Sequence, residues 1–167
     1  MILEAAQFAA EVHTLHRTGD GNTPLINHVL EVAELVSKHT DETQTIVAAL
    51  LHGVVEDSEL TIAQLRDRFG GEIASIVGEL TDNPRWATLS SLDRKRHQAQ
   101  WIATASPAAQ TIKLADRTCN ARDKRRLSTG LSDSATKKYI DSLRPIVANC
   151  SAAPVQLAAL FDQENPL

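Results

Sequence analysis

Aromatic side chains are scarce in this chain: three Phe, two Trp and one Tyr make up 4% of its 167 residues. That is too few for the stacking platform that holds single-stranded nucleic acid. No excess of positive charge makes up for it. The formal net charge is −4, whereas a dedicated nucleic-acid binder shows a basic domain. Cysteine is sparse too. Cys119 and Cys150 lack the paired spacing of a metal site and are too few for a disulfide scaffold, which suits a reducing, cytoplasmic setting. No apolar run approaches the ~20 residues that span a bilayer. The opening MILEAAQFAAEVH is acidic and amphipathic, unlike a signal peptide. Sustained apolar–polar alternation, internal repeats and low-complexity tracts are all missing, so no sheet is expected.

What is present is helical periodicity in a chain long enough for one compact domain. Leu3, Ala6, Ala10 and His13 recur at three- and four-residue steps, predicting a first helix to about Arg17. RTGDGNTP breaks the pattern with two glycines and a proline, a loop of the kind that carries function. A second helix follows Pro24, with Leu25, Val29, Val32 and Val36 on one stripe. DETQTIVAALLHGVVED is expected as a third, capped by Asp41 and apolar on all sides in its middle, hence central. TIAQLRDRFG opens on a Thr-x-x-Gln capping box and ends at Gly70. EIASIVGEL follows, stopped by TDNPR, and a sixth helix spans about Leu92 to Ala105. Ser106 and Pro107 are a cap and a first-turn proline for PAAQTIKLADRTCNARDKRR. SDSATKKYIDSLRPIVANC is expected to kink at Pro145, and APVQLAALF closes the chain. The reading is a single all-α domain of eight or nine helices over residues 1–167.

Several polar residues stand where this pattern buries side chains. His28 lies on or beside the stripe of the second helix, and His52 lies inside the apolar third. Asp116 precedes Asn120 by four residues, so the two share a face. Glu56 follows His52 by one turn, with Asp57 beside it. A lone buried carboxylate costs several kcal/mol unless a cation or hydrogen bonds compensate. One divalent metal accounts for these positions together, because imidazoles and a carboxylate suit Mn²⁺, Fe²⁺ or Zn²⁺. Such an ion turns water into a nucleophile near neutral pH, and Glu56 or Asp57 can orient or deprotonate that water. The plainer alternatives are satisfied core histidines, a solvated helix end at EDSE, and an Asp116 that pairs with Arg117 or Lys113. His13, His16, His39 and His97 are read as surface or helix-end residues, the first two near the loop.

The segments TPLINHVLEVAELV, IVAALLHGVVEDSELTIAQLRDRFGGEIASIVGELTD, RKRHQ and IKLADRTCNARD, in that order, resemble the HD-superfamily hydrolase domain of RelA/SpoT-type proteins. The resemblance is to its stand-alone form, the small alarmone hydrolases, and runs from about residue 3 to 150. It implies an all-helical HD-domain bundle around one Mn²⁺. It also implies removal of the 3′-pyrophosphate from guanosine tetra- or pentaphosphate, with some members taking the 2′-phosphate from NADPH. By position, His28, His52 and Asp116 match the metal ligands, and Glu56 and Asp57 match the acids that work on the water. Arg17, Asn120, Arg122 and Tyr139 match residues that hold the nucleotide.

The chain departs from that pattern at several points. The eponymous His-Asp pair is His52-Gly53 here, one metal ligand short. Thr18 and Gly19 follow Arg17 where a basic residue is usual, and Leu25 and Val29 replace a tyrosine and a proline. Ala135 and Ser91 stand where an arginine and a lysine are expected. Each lost cation removes a charge-assisted phosphate contact of ~1.5–3 kcal/mol. The run Lys113–Arg126 holds six basic residues against Asp116 and Asp123, although Lys124 to Arg126 are read as a solvated face. Three readings follow: a nucleotide pyrophosphohydrolase, active or weakened; a non-catalytic relative that binds a nucleotide or a protein partner; and a hydrolase of another phosphate ester.

Overall fold

The computed structural model describes residues 1–19, 21–127 and 133–166; Asp20 of the expected loop and Ser132 of the expected eighth helix lie outside them. Among the described residues every regular element is helical, and the only extended pairing is an isolated bridge between Arg17 and Pro24. Contacts within the chain divide it into two units, Met1–Thr81 and Asp82–Leu167.

The first unit contains α1 (Ile2–Val12), α2 (Leu25–Ser37), α3 (Thr43–Leu50), α4 (Ile62–Phe69) and α5 (Gly71–Leu80). As the all-round apolar sequence predicts, α3 is central, packing on α1, α2 and α5. Val47, Ala48, Ala49 and Leu50 are buried, and so are Val32 and Val36 of α2 and Ile73 and Val77 of α5. Burying each branched side chain stabilises the fold by ~1.5–3 kcal/mol. Phe8 of α1 meets Phe69 of α4 with ring centroids 5.5 Å apart, and the Arg68 guanidinium lies 4.2 Å from the Phe8 ring. The Thr61–Gln64 capping box forms as expected: each side chain bonds the other's backbone N–H, at 3.3 and 2.9 Å. Gly70 ends α4 with φ +93°, a conformation other residues rarely adopt.

Three expectations change here, the first being that α1 ends at Val12 rather than about Arg17. The third helix stops at Leu50 rather than Asp57; residues 51–56 continue as turns and 57–59 as bends. The Ala49 carbonyl, which a continuing helix would offer to the Gly53 N–H, accepts from the His52 ring at 2.7 Å. Gly53 itself costs a helix ~1 kcal/mol relative to Ala. Asp41 is not the cap; Glu42 occupies that position, without a side-chain cap.

The second unit contains a 3₁₀ turn (Pro84–Trp86), α6 (Ser91–Ile102), α7 (Pro107–Arg126), α8 (Asp133–Asp141), α9 (Arg144–Ala148) and α10 (Val155–Glu164). Its axis is α7, packed against α6, α8, α9 and α10. Ile112, Leu114, Ala115 and Cys119 of α7 are buried, as are Leu143, Ile146, Leu157 and Phe161. Ser106 caps α7 through the Ala109 N–H at 3.2 Å, with Pro107 in the first turn, as the sequence predicts. Pro145 falls at the start of α9, so the expected kinked helix becomes two helices. No described helix is long and apolar enough to cross a membrane.

Candidate metal centre

In the first unit, His28 sits buried in the first turn of α2 and His52 lies just beyond α3. The packing of α2 on α3 brings their rings together, centroids 5.9 Å apart and planes at 63°. The 2.7 Å bond to the Ala49 carbonyl fixes the His52 tautomer. A carbonyl only accepts, so Nδ1 carries the proton and Nε2 keeps its lone pair for a metal.

Asp57 lies one turn past Gly53, its N–H bonded to the Gly53 carbonyl at 3.0 Å. Its Oδ2 is 3.2 Å from Nε2 of His13, whose Nδ1 is 2.9 Å from the Ala9 carbonyl. His13 is a helix-end residue, as expected, at the C-cap of α1; it is not on the surface, being only 1% exposed. Both its ring nitrogens face oxygens. Glu56 is exposed beside them. The Arg17 guanidinium turns back on its own loop, donating to the carbonyls of Thr14 (3.1 Å) and His16 (2.9 Å).

In the second unit, Asp116 is buried on α7 and Asn120 shares its face, donating from Nδ2 to Oδ1 at 2.6 Å. Arg117 Nε stands 3.4 Å from the other carboxylate oxygen. Arg122 is committed to α10: Nε donates to Glu164 Oε2 at 2.9 Å and Nη2 to Oε1 at 2.6 Å. Arg125 also bonds Glu164, at 3.3 Å, and Asn165. The Arg122 hydrogen bond holds the Glu164 carboxyl below its ordinary range. Only Arg126 of the expected solvated stretch is exposed.

Tyr139 on α8 carries ammonium groups against its ring, Lys95 Nζ at 4.4 Å and Lys124 Nζ at 5.5 Å from the centroid. Burial pushes the Tyr139 phenol up. Burial, then Arg117 and Arg94, pushes the Lys95 ammonium down. The sequence pattern did not single out Lys95, which stands in RKRHQ one turn past Ser91, on the same face of α6. Cys150 is no candidate nucleophile, because burial pushes its thiol up to about 12.

The profile of one family, described as HD domain, matches residues 5–141, well over half of the chain. The chain belongs to the HD-domain family. Its HD-domain relatives include guanosine-3′,5′-bis(diphosphate) 3′-pyrophosphohydrolase MESH1 of Mus musculus, 36% identical over 166 residues, covering 97% of this chain and 91% of that protein. The MESH1 of Xenopus tropicalis is 40% identical over 151 residues, covering 88% and 83%. Among solved structures, the metazoan ortholog of SpoT described as hydrolysing ppGpp superposes with a TM-score of 0.85 at 31% identity, covering 97% of this chain and 92% of the other. HD-domain hydrolases imply a divalent metal. Each unit offers donors of the kind that suit one: in the first, an imidazole with its tautomer set by the backbone and a second imidazole beside it; in the second, a buried carboxylate oriented by an amide.

Proposed function

We propose that this protein hydrolyses guanosine 3′,5′-bis(diphosphate), using one water to release the 3′-pyrophosphate and leave GDP. In this proposal His28, His52 and Asp116 hold a divalent ion, Mn²⁺ by preference, and residues 1–167 act as a single HD-type domain. The carrying observation is the Ala49 carbonyl on Nδ1 of His52, which leaves Nε2 as a donor beside His28. The relatives support the substrate, since two that this chain covers by more than four-fifths carry that activity in their names.

A divalent ion in that set polarises a phosphoryl oxygen and makes water nucleophilic at neutral pH. The chain's own residues do the rest. Asn120 holds the Asp116 carboxylate in one orientation. Glu56 and Asp57 orient the attacking water and take its proton. Tyr139, flanked by Lys95 and Lys124, offers a ring and two cations to a phosphorylated nucleotide. Arg17 and Asn120 complete the nucleotide contacts, and Arg122 joins them by exchanging Glu164 for a phosphate. Free buried cysteines suit a cytoplasmic location. The test is incubation with ppGpp, and separately with NADPH, at saturating Mn²⁺, with products separated by anion exchange. GDP and pyrophosphate are expected from ppGpp; no turnover of either compound overturns the proposal.

Gly53 favours a second reading, a non-catalytic protein that binds the nucleotide. Its mark is activity that appears only in Gly53→Asp.

A further inference from the structure

Arg117 is a largely buried cation whose donors are weakly engaged. It lies on α7 next to Asp116, with its side chain 13% exposed. Asp116 Oδ2 is 3.4 Å from Nε, and Gln98 Oε1 accepts from Nη2 at 3.4 Å. Both distances exceed the ~2.7–3.2 Å of a well-formed N–H···O bond. Nε is buried and has no hydrogen-bond acceptor among the described residues. A guanidinium withdrawn from water in this way is costly, and a phosphate that matches its fork removes the cost. Its neighbours aim it. Gln98 closes the RKRHQ stretch on α6, which packs on α7. Its Nε2 donates to both oxygens of Asp82, at 2.9 and 2.7 Å. A carboxylate only accepts, so the amide NH₂ is settled there and the amide oxygen turns to Arg117. Asn120 donates to Oδ1 of Asp116, and Arg117 faces the other oxygen. The Arg117 charge also reaches two residues of the proposed nucleotide site. Burial and then Arg117 push the Lys95 ammonium down, and at Tyr139 burial pushes the phenol up while Arg117 opposes it.

We propose that Arg117 is a substrate-binding residue whose guanidinium takes a phosphate of the nucleotide, and that Gln98, fixed by Asp82, is the positioning residue that aims it. The proposal rests on the hydrolase reading above. It adds a guanidinium to a site whose sequence lacks the arginine expected at Ala135. Arg117 and Asp116 face each other at 3.4 Å, so a divalent ion held by Asp116 repels the guanidinium and makes a phosphate its better partner. Removing the guanidinium therefore acts in opposite directions on the two ligands: it favours the ion and weakens the nucleotide.

The test compares wild type with Arg117→Met, Arg117→Lys, Gln98→Leu and the double variant Arg117→Met/Gln98→Leu. Two readouts are taken: Mn²⁺ binding by calorimetry without substrate, and ppGpp turnover at saturating Mn²⁺. Loss of one charge-assisted phosphate contact is expected to raise KM about 10–100-fold in Arg117→Met. Its Mn²⁺ affinity is expected to equal or exceed that of wild type, because a cation beside the metal carboxylate is gone. Lysine keeps the charge without the fork, so Arg117→Lys is expected to recover part of the KM. Gln98→Leu is expected to raise KM about 3–10-fold with kcat within about twofold, since a misaimed contact is weaker than an aimed one. In the Arg117→Met background it is expected to add nothing, which a merely structural glutamine would not show. An unchanged KM in Arg117→Met, a loss of Mn²⁺ affinity alongside its KM, or additive effects of the two substitutions overturns this proposal while wild type still turns over ppGpp. A wild type that hydrolyses neither ppGpp nor NADPH overturns the hydrolase reading itself. The same proteins are then compared by calorimetric Kd for ppGpp, where equal values for wild type and Arg117→Met overturn this proposal too.

Discussion

Glu164→Gln isolates the tie between α7 and α10. Glu164 receives two hydrogen bonds from Arg122, at 2.9 and 2.6 Å, and one from Arg125 at 3.3 Å. The Arg122 and Glu164 side chains are 22% and 25% exposed, so water screens the pair only in part. Charge-assisted bonds contribute ~1.5–3 kcal/mol each. Glutamine keeps one acceptor, and the residual exposure reduces the rest, leaving a loss of about 2 kcal/mol. For a protein of this size each kcal/mol moves Tm by about 2–4 °C, so the variant is expected to melt about 4–8 °C lower at pH 7. The pH dependence has a definite sign. The Glu164 carboxyl is held below its ordinary value of 4.5, chiefly by the Arg122 hydrogen bond. Its stabilisation is therefore complete above pH 4.5 and is lost as the pH falls through the lowered value. Paired thermal melts of wild type and variant between pH 7 and pH 3 are the assay. The gap is expected to be constant above pH 5 and to close below 4.5. Equal Tm values at pH 7, or a gap unchanged at pH 3, refute the argument.

Gln110→Leu is expected to destabilise the second unit by about 2–4 kcal/mol in chemical denaturation, because it strands the Ala105 carbonyl and the Ala152 N–H that Gln110 bonds at 3.0 and 2.8 Å. Lys95→Met is expected to raise KM for ppGpp about tenfold, a loss of ~1.4 kcal/mol, with kcat nearly unchanged and a weaker salt dependence of KM. An unchanged KM removes Lys95 from the nucleotide site. Cys150, with its thiol pushed up to about 12, is expected to resist thiol reagents at pH 8 in the folded protein and to react once denatured.

The parts of this molecule that follow from local chemistry were legible in the sequence. Helical spacing gave the all-α class, the Thr61–Gln64 box and the Ser106–Pro107 start marked helix ends, and the four-residue step from Asp116 to Asn120 placed an amide on a carboxylate. What escaped was set by partners distant in sequence or by side chains competing with the backbone. The His52 ring takes the Ala49 carbonyl and ends α3 early. His13 is buried because Asp57, 44 residues away, meets it. Arg122 looked available to a phosphate because Glu164, 42 residues on, left no mark in the local pattern. The same holds for Lys95, whose place beside Tyr139 comes from the packing of the second unit.

The most direct measurement is ppGpp hydrolysis by chelator-stripped protein titrated with Mn²⁺, run beside Asp116→Asn. The account predicts no activity in stripped wild type, recovery at about one ion per chain, and at least ~10-fold more Mn²⁺ needed by the variant. Hydrolysis that survives stripping, or identical titrations of the two proteins, contradicts it.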